Sequence, residues 1–532
     1  MKRNYFVCCL LALFGSLNMQ AIDFTVDGVS YTTTKDSAVV SVVADTANYK
    51  GAVTIPATVT YGNVNYQVKS IADKAFFYCT EMTSLTIAEG IIEIGYSAFR
   101  NCSGLTAVSL PSSLKSLGSS AFFGCKSLAS VSIPATLTKI EPYTFFACKS
   151  LTTVSVPASV KAVGGSAFSG CSKLESVTLP DGITEIASYT FQDCESLKSV
   201  NIPAGVVTIG DFAFQNCYYL PAITIPEGVE QIGRCAFERC VSLTSITLPA
   251  SLRNISCSTF VTCINLTSIN VAEGNTVYSS KGSNAIIEAV VDGKTQEVSY
   301  KLVAGCKTTV IPADVTEIGA YAFFGCSGLT SITIPGSVKV IGESAFCACP
   351  NLTDVTISEG VEDVDGWAFE DCVKLTNVII PSTVESISMA TFRNCVSLNS
   401  ITLPASIKQI DDDAFENCTG LTEIVCLATK CPKTTIDAFP GVAIENITLR
   451  VPESAVEAYQ TDAFWSLFGT IESADGAFVA PNVDNETAIV NLKGDAKVQS
   501  VYNLGGQQTA RMQRGINIVR LSDGTTRKVL VK

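Results

Sequence analysis

A chain of 532 residues with 47% hydrophobic and 16% charged side chains is equipped to bury a large core and is not a disordered polymer. Its formal net charge of −13 offers no basic field to neutralise phosphates, which argues against nucleic acid as a partner. It contains no histidine, which removes Ser-His-Asp and Cys-His nucleophiles, imidazole acid–base chemistry and His-ligated zinc, and with them most routes to an enzyme.

The first residues read as an export signal. Lys2 and Arg3 give a basic start, Tyr5 to Phe14 a short apolar stretch, and Ala21 the cut, so residues 1–21 are expected to be removed. The apolar stretch is too short to span a membrane, and no later stretch reads as a span. Residues 22–67 are expected to form an N-terminal β cap, within which VTYGNVNYQV (59–68) reads as a hairpin.

From about residue 68 a period takes over. Ala/Thr-Phe recurs with Phe at 76, 99, 122, 145, 168, 191, 214, 237 and 260, every step 23 residues, and resumes at Phe323, Phe346, Phe369, Phe392 and Phe415. Each Phe has a Cys three residues on, from Cys79 to Cys418. A strict period of this length marks a solenoid, whose units bury their apolar faces only by stacking. In one unit, Val108 and Leu110 alternate as a strand with one buried face, and Pro111 ends it by removing a donor. Leu114 to Leu117 is a second extended piece, and Gly118 turns the chain. The spacing of three in Ala-Phe-x-x-Cys-x-x-Leu fits one helical or 3₁₀ turn.

Between Phe260 and Phe323 lie 63 residues, 17 beyond two repeats. Tyr300, Val303 and Cys306 are assigned the Phe, Cys and Leu positions of the coil leading into Phe323. The extra residues then fall within 272–299, where AIIEAVV, Asp292-Gly293 and QEVSYKL read as a β-hairpin projecting from the stack. Beyond residue 440, a cap is expected over 441–471, with Val456, Tyr459, Phe464, Trp465 and Phe468 on an amphipathic helix. A linker (472–487) and a small β tail (488–532) follow.

The repeat, as in AFFGCKSLASVSIPATLTKI (121–140) and AFFGCSGLTSITIPGSVKVIG (322–342), resembles the BspA-like leucine-rich repeats of bacterial surface proteins over about residues 68–440. The resemblance implies a mainly β, right-handed leucine-rich-repeat solenoid with short helical or 3₁₀ turns, β caps and a small C-terminal β tail. It also implies a non-catalytic protein, secreted or held at the cell surface, that binds or adheres to a partner. The tail, in Val501-Tyr502-Asn503-Leu504, Gly506-Gln507, Gly515-Ile516 and Lys528 to Lys532, resembles the sorting domains of type IX-secreted proteins, which implies an outer-membrane association. A monomer with an extracellular protein or glycan as partner is expected, without cofactor or metal. The alternative is a glycan-binding accessory of a surface polysaccharide-utilisation system.

Four features are weighed as sites. The Cys column reads as buried, unbridged thiols, with Cys426 and Cys431 as a candidate pair. Asp363-x-Asp365-Gly366 and Asp411 to Asp413 read as solvated turns rather than Ca²⁺ loops. A hydroxyl-rich column stands ten residues after each Phe: Thr86, Ser109, Ser132, Ser155, Thr178, Asn201, Thr224, Thr247, Asn270, Thr333, Thr356 and Thr402, with Ile379 as the exception. It suits a solvated sheet face or a flat binding face. Aromatics outside the consensus are the candidate anchors for a partner: Tyr143, Tyr189, Phe212, Tyr321 and Trp367, each two residues before a column Phe, with Tyr218, Tyr219, Phe146 and, beside the hairpin, Tyr278. The competing reading is that they pack over the coil edges.

Overall fold

Each 23-residue repeat becomes one coil with two short strands. The computed structural model describes residues 21–33, 38–44 and 49–474, and the backbone of strands at 498–502, 508–509, 515–521 and 526–531. The expected export signal, apart from Ala21, and residues 475–487 of the expected linker lie outside the described residues. The chain divides into two compact units, 1–474 and 475–532.

In the first unit, successive strands pair in parallel with a register shift of one repeat. Ser84, Ala107 and Ser130 align, as do Leu85, Val108 and Val131. The second piece of each coil stacks the same way, Ile94 beside Leu117. Gly118 follows it because an added Cβ would lie 2.5 Å from the Gly95 carbonyl carbon, in a turn with no space for one.

The Phe corner differs from the expected helical or 3₁₀ turn. It is a run of tight turns closed by Cys102 N–H to the Phe99 carbonyl (3.2 Å) and Leu105 N–H to the Cys102 carbonyl (3.1 Å). Alternate amides bond between coils, Phe99 N–H to Ala121 (2.8 Å) and Asn101 N–H to Phe123 (2.6 Å). Two residues per corner, here Ser97 (φ 53°) and Asn101 (φ 62°), take left-handed backbone. A spacing of three is common to both geometries. Among the described residues, 3₁₀ segments occur only at Ile436–Ala438, Ile444–Asn446, Glu453–Ala455 and Trp465–Leu467.

Inside the corner the Phe rings form a column with centroids 4.9–5.8 Å apart, from Phe76–Phe99 (5.2 Å) and Phe168–Phe191 (5.8 Å) to Phe323–Phe346 (4.9 Å). That separation is the coil rise slightly offset, an arrangement favoured by the ring quadrupole. Beside it, every column thiol except those of Cys79 and Cys326, which open the two runs, donates to the carbonyl of the Phe 26 residues earlier, as Cys102 to Phe76 (3.0 Å) and Cys418 to Phe392 (3.0 Å). All the column cysteines are free and buried. Cys426 and Cys431 are free as well, and the Cys426 thiol meets the Tyr459 hydroxyl (3.2 Å) instead.

The N-terminal end comprises β1 (Asp23–Val26), β2 (Val29–Thr33), β3 (Val39–Val42), β4 (Gly51–Ile55), β5 (Thr58–Tyr61) and β6 (Val64–Ile71), followed by β7 (Met82–Ile87). β5 and β6 form the expected hairpin. The parallel stack begins earlier than residue 68, because β4 already pairs with β7, Val53 beside Leu85 and Ile55 beside Ile87. The Tyr49 ring, 4.7 Å from Phe76, closes the Phe column there.

The insertion is a hairpin of Ile286–Val291 and Val298–Ala304, its turn held by the Asp292 carboxylate, which accepts from the Lys294 and Thr295 amides (both 2.7 Å). Only its tip projects. Ile286, Ile287 and Leu302 at its base are fully buried, whereas Val291 and Val298 are 54% and 53% exposed. The expected assignment of Tyr300, Val303 and Cys306 is displaced. Lys301 and Leu302 pair with Glu317 and Ile318, so this stretch is the second strand of its coil. Gly305 N–H bonds Ala322 (2.8 Å) as Phe323 N–H bonds Ala345 (2.8 Å), so Gly305 holds the Phe place. Thr309 N–H bonds Cys306 (3.0 Å) as Leu329 N–H bonds Cys326 (3.0 Å), so Cys306 holds the Cys place.

At the other end, Thr448–Val451 and Thr470–Ser473 continue the parallel sheet. Glu472 and Ser473 therefore belong to a strand and not to a linker. The cap helix Val456–Thr461 buries Tyr459, and buried Trp465 donates from Nε1 to the Pro432 carbonyl (3.0 Å). In the second unit four antiparallel strands form one sheet, in the order 508–509, 498–502, 515–521, 526–531.

Candidate functional site

Two faces of the solenoid carry surface chemistry. On the strand face, Thr86, Ser109 and Ser132 align across coils, as do Thr333 and Thr356. This column is exposed and uncharged, a row of hydroxyl and amide donors, except at Ile379, which is apolar, and at Thr402, which is buried. Thr402 pairs with Val425 near the end of the sheet, and the next residue in that register, Arg450, is clamped by Glu423 and Glu472 (2.5 and 2.6 Å).

The Phe corner carries the aromatics. The position two residues before the column Phe is left-handed in every coil but that of Phe260, with φ between 53° and 61° at Ser97, Ser120, Tyr143, Ser166, Tyr189, Phe212, Tyr321, Ser344 and Trp367. A residue with a Cβ pays roughly 1–2 kcal/mol for this backbone, and several coils meet the requirement with a small buried Ser. Tyr143 and Tyr189 meet it while leaving 45% and 37% of their surface in solvent.

The rings are organised in layers. Tyr189 stacks on Phe212 (4.9 Å, 10°), and the Arg234 guanidinium lies 5.0 Å from the Phe212 centroid. Phe146, 6.0 Å from Tyr143, stacks on Phe123 (4.5 Å), which Arg100 covers at 3.8 Å. Arg100, Phe123 and Arg234 were not among the expected anchors. For Arg100 and Phe123 the signal in the sequence is the position immediately after the column Phe, where Phe123 and Phe146 follow Phe122 and Phe145; Arg234, three residues before Phe237, lies outside that position. In the same column, Ser169, Gln192, Gln215 and Glu238 are joined by side-chain hydrogen bonds of 3.3, 2.7 and 2.7 Å.

Tyr219 is 63% exposed on the next turn, with Tyr218 half-buried beside it. Tyr321 and Trp367 lie beyond the insertion, half-buried, and the Tyr321 hydroxyl donates to Glu343 (3.1 Å). Tyr278 is buried in the core, its hydroxyl oxygen accepting from the Ile255 amide (3.3 Å), and is corrected here from a surface anchor to a packing residue. Nothing in its local sequence distinguishes a ring entering the stack from one leaving it. Among the described residues no group of three or more Cys, Asp and Glu is placed to hold a metal ion.

A model of the BspA type leucine rich repeat region, in six copies, matches residues 69–198, 184–308, 294–422 and 340–467. The chain belongs to the BspA-type leucine-rich repeat family. A leucine-rich repeat protein from Bacteroides ovatus is 28% identical over 76% of this chain and 94% of that one, with a TM-score of 0.53. A leucine rich cell surface protein from Faecalibacterium prausnitzii is 26% identical over 85% and 95%, with a TM-score of 0.44. The T. pallidum leucine rich repeat protein is 31% identical over 36% and 87%, with a TM-score of 0.33. No curated protein matches the chain. BspA-type repeats build a scaffold that is typically non-catalytic, and among the described residues no helix is long and apolar enough to cross a membrane.

Proposed function

We propose that this BspA-type protein is a secreted or cell-surface, non-catalytic binding protein that holds a macromolecular partner, foremost an extracellular protein, on its Phe corner. The observation that carries the reading is the placement of Tyr143, Tyr189 and Phe212 at left-handed positions that neighbouring coils fill with Ser. Bulky side chains in sparsely populated backbone persist where something outside the fold rewards them. Exposed Tyr rings backed by a stacked ring or an arginine are rigid, amphipathic anchors of the type that dominates interfaces. Tyr218 and Tyr219 extend the patch. The basic start and apolar stretch of residues 1–21 and the sorting-like tail support export, and the regular surface of the stack supports a monomer.

The test uses the repeat's own alternative. Tyr143→Ser, Tyr189→Ser and Phe212→Ser together copy the chemistry of Ser97, Ser120 and Ser166. The exported protein and this variant are screened against extracellular matrix protein and glycan arrays. Loss of at least tenfold in affinity for a protein hit, with an unchanged thermal midpoint, supports the reading. Equal binding by both refutes it, and hits confined to glycans move it to the polysaccharide-accessory class.

A further inference from the structure

Among the described residues, the N-terminal end of a four-stranded parallel sheet is an open edge beside a cavity. The sheet ends at β4, whose one partner there is β7. Gly51 N–H donates to Glu81 (2.9 Å) and the Ile55 carbonyl accepts from Ala88 N–H (3.0 Å), so the odd-numbered residues of β4 face β7. In a parallel ladder the alternate residues face the other way, which turns the amides and carbonyls of Ala52 and Thr54 to the free edge. Among the described residues neither has a backbone partner there.

That edge borders a cavity of about 670 Å³, lined by Val26 to Val29 of the β1–β2 turn, Tyr31, Tyr49, β4 and the start of β5. The volume lies within the range of ordinary ligand sites. Its two charged side chains are not equivalent. Lys50 is neutralised by Glu81 (3.0 Å), whereas Asp27 has no salt bridge among the described residues.

We propose that this cavity takes an extended segment of a partner polypeptide carrying a Lys or Arg side chain. Its backbone adds a strand to the free edge of β4, and its cation lies against Asp27. Only an extended chain offers donors and acceptors at the two-residue spacing of Ala52 and Thr54, and a free edge is a ready template for one. The lone carboxylate selects a basic side chain over an acidic one. This site lies at the N-terminal end, lined by none of Tyr143, Tyr189 and Phe212, and goes beyond the function proposed above.

Two substitutions isolate the two recognition elements. Thr54→Pro removes the edge-facing donor, and an edge strand tolerates proline because the lost N–H is not in the ladder. Asp27→Asn removes the charge while keeping a side chain suited to its left-handed backbone (φ 50°). The probe is a labelled acetyl-Thr-Val-Lys-Val-Thr-amide, compared with the same peptide carrying Glu in place of Lys, read by fluorescence anisotropy on the full chain. Amide hydrogen exchange of the wild-type protein is followed with and without the probe. The expected result is saturable binding of the Lys peptide, at least tenfold weaker in each variant and for the Glu peptide, with slowed exchange at Ala52 and Thr54. The proposal is overturned by the absence of saturable binding, by unchanged exchange at those two amides, by equal binding of the Glu peptide, or by either folded variant binding like the wild type.

Discussion

A thiol in this stack is fixed by two things, a carbonyl that takes its hydrogen and a surrounding without water. Burial pushes the Cys171, Cys263 and Cys418 thiols up to about 12. A thiol so raised keeps its proton in the fold at a pH where the unfolded chain, near its ordinary value of about 8.5, has already lost it. The stability they contribute is therefore complete below about pH 8.5 and is lost as pH rises toward 12. At pH 10.5 each such thiol costs on the order of 2 kcal/mol. The thermal midpoint should fall steeply between pH 8 and 10.5, and a Cys171→Ala variant should lose less over that interval than the wild type does. An identical slope in both would show that the thiols do not carry the effect.

At the scale of elements, the insertion departs furthest from the repeat. Gly305 occupies a Phe place because the Phe323 ring already fills the space. A Cβ on Gly305 would lie 2.2 Å from Phe323 Cε1. Gly305→Ala should cost about 1–3 kcal/mol by overpacking, read as a lower denaturant midpoint. The hairpin has two halves with different work. Ile287→Ala at the base should cost about 2–5 kcal/mol, whereas replacing the exposed tip 292–297 with Asn-Gly should leave the midpoint within about 0.5 kcal/mol, the range for surface changes. The sequence made the hairpin legible through Asp292-Gly293 and its flanking apolar runs. It did not show the burial of the base, because AIIEAVV has no alternation that separates a projecting strand from a packed one.

At the scale of the molecule, the buried side chains form two clusters, one from Phe24 to Cys306 and the other from Ala285 to Phe468. They meet at the hairpin, where Ile286 belongs to the first and Ile287 to the second. Parallel runs end there, at Ser268–Val271 and at Asn254–Ile255, as others do at Ser130–Ser132 and Ser199–Val200, but the division of the buried side chains falls at the hairpin. Nearest-neighbour coupling carries cooperativity along a solenoid, so a weakened junction divides it. Calorimetry of the full chain should resolve two solenoid transitions, and Trp465→Ala should lower only that of the C-terminal block. A single solenoid transition, with Trp465→Ala lowering the whole solenoid at once, would contradict this division.

The period of 23 residues was sufficient to establish the stack, the parallel strands, the Phe column and the thiol column, because a side chain repeated at constant spacing has the same neighbours in every coil. The aromatics outside the consensus were legible for the same reason: they break a pattern, and a break is visible in one dimension. Three things were decided only by the tertiary structure. The corner adopts tight left-handed turns rather than a helical one, since both satisfy a spacing of three and only the hydrogen bonds to the next coil choose between them. The stack begins at Gly51 and closes on Tyr49, outside the period, because an end is defined by what pairs with the last coil and not by the repeat. Tyr278 points inward while Tyr143 and Tyr189 point outward, because exposure depends on the residues stacked above and below, which lie a full coil away along the chain.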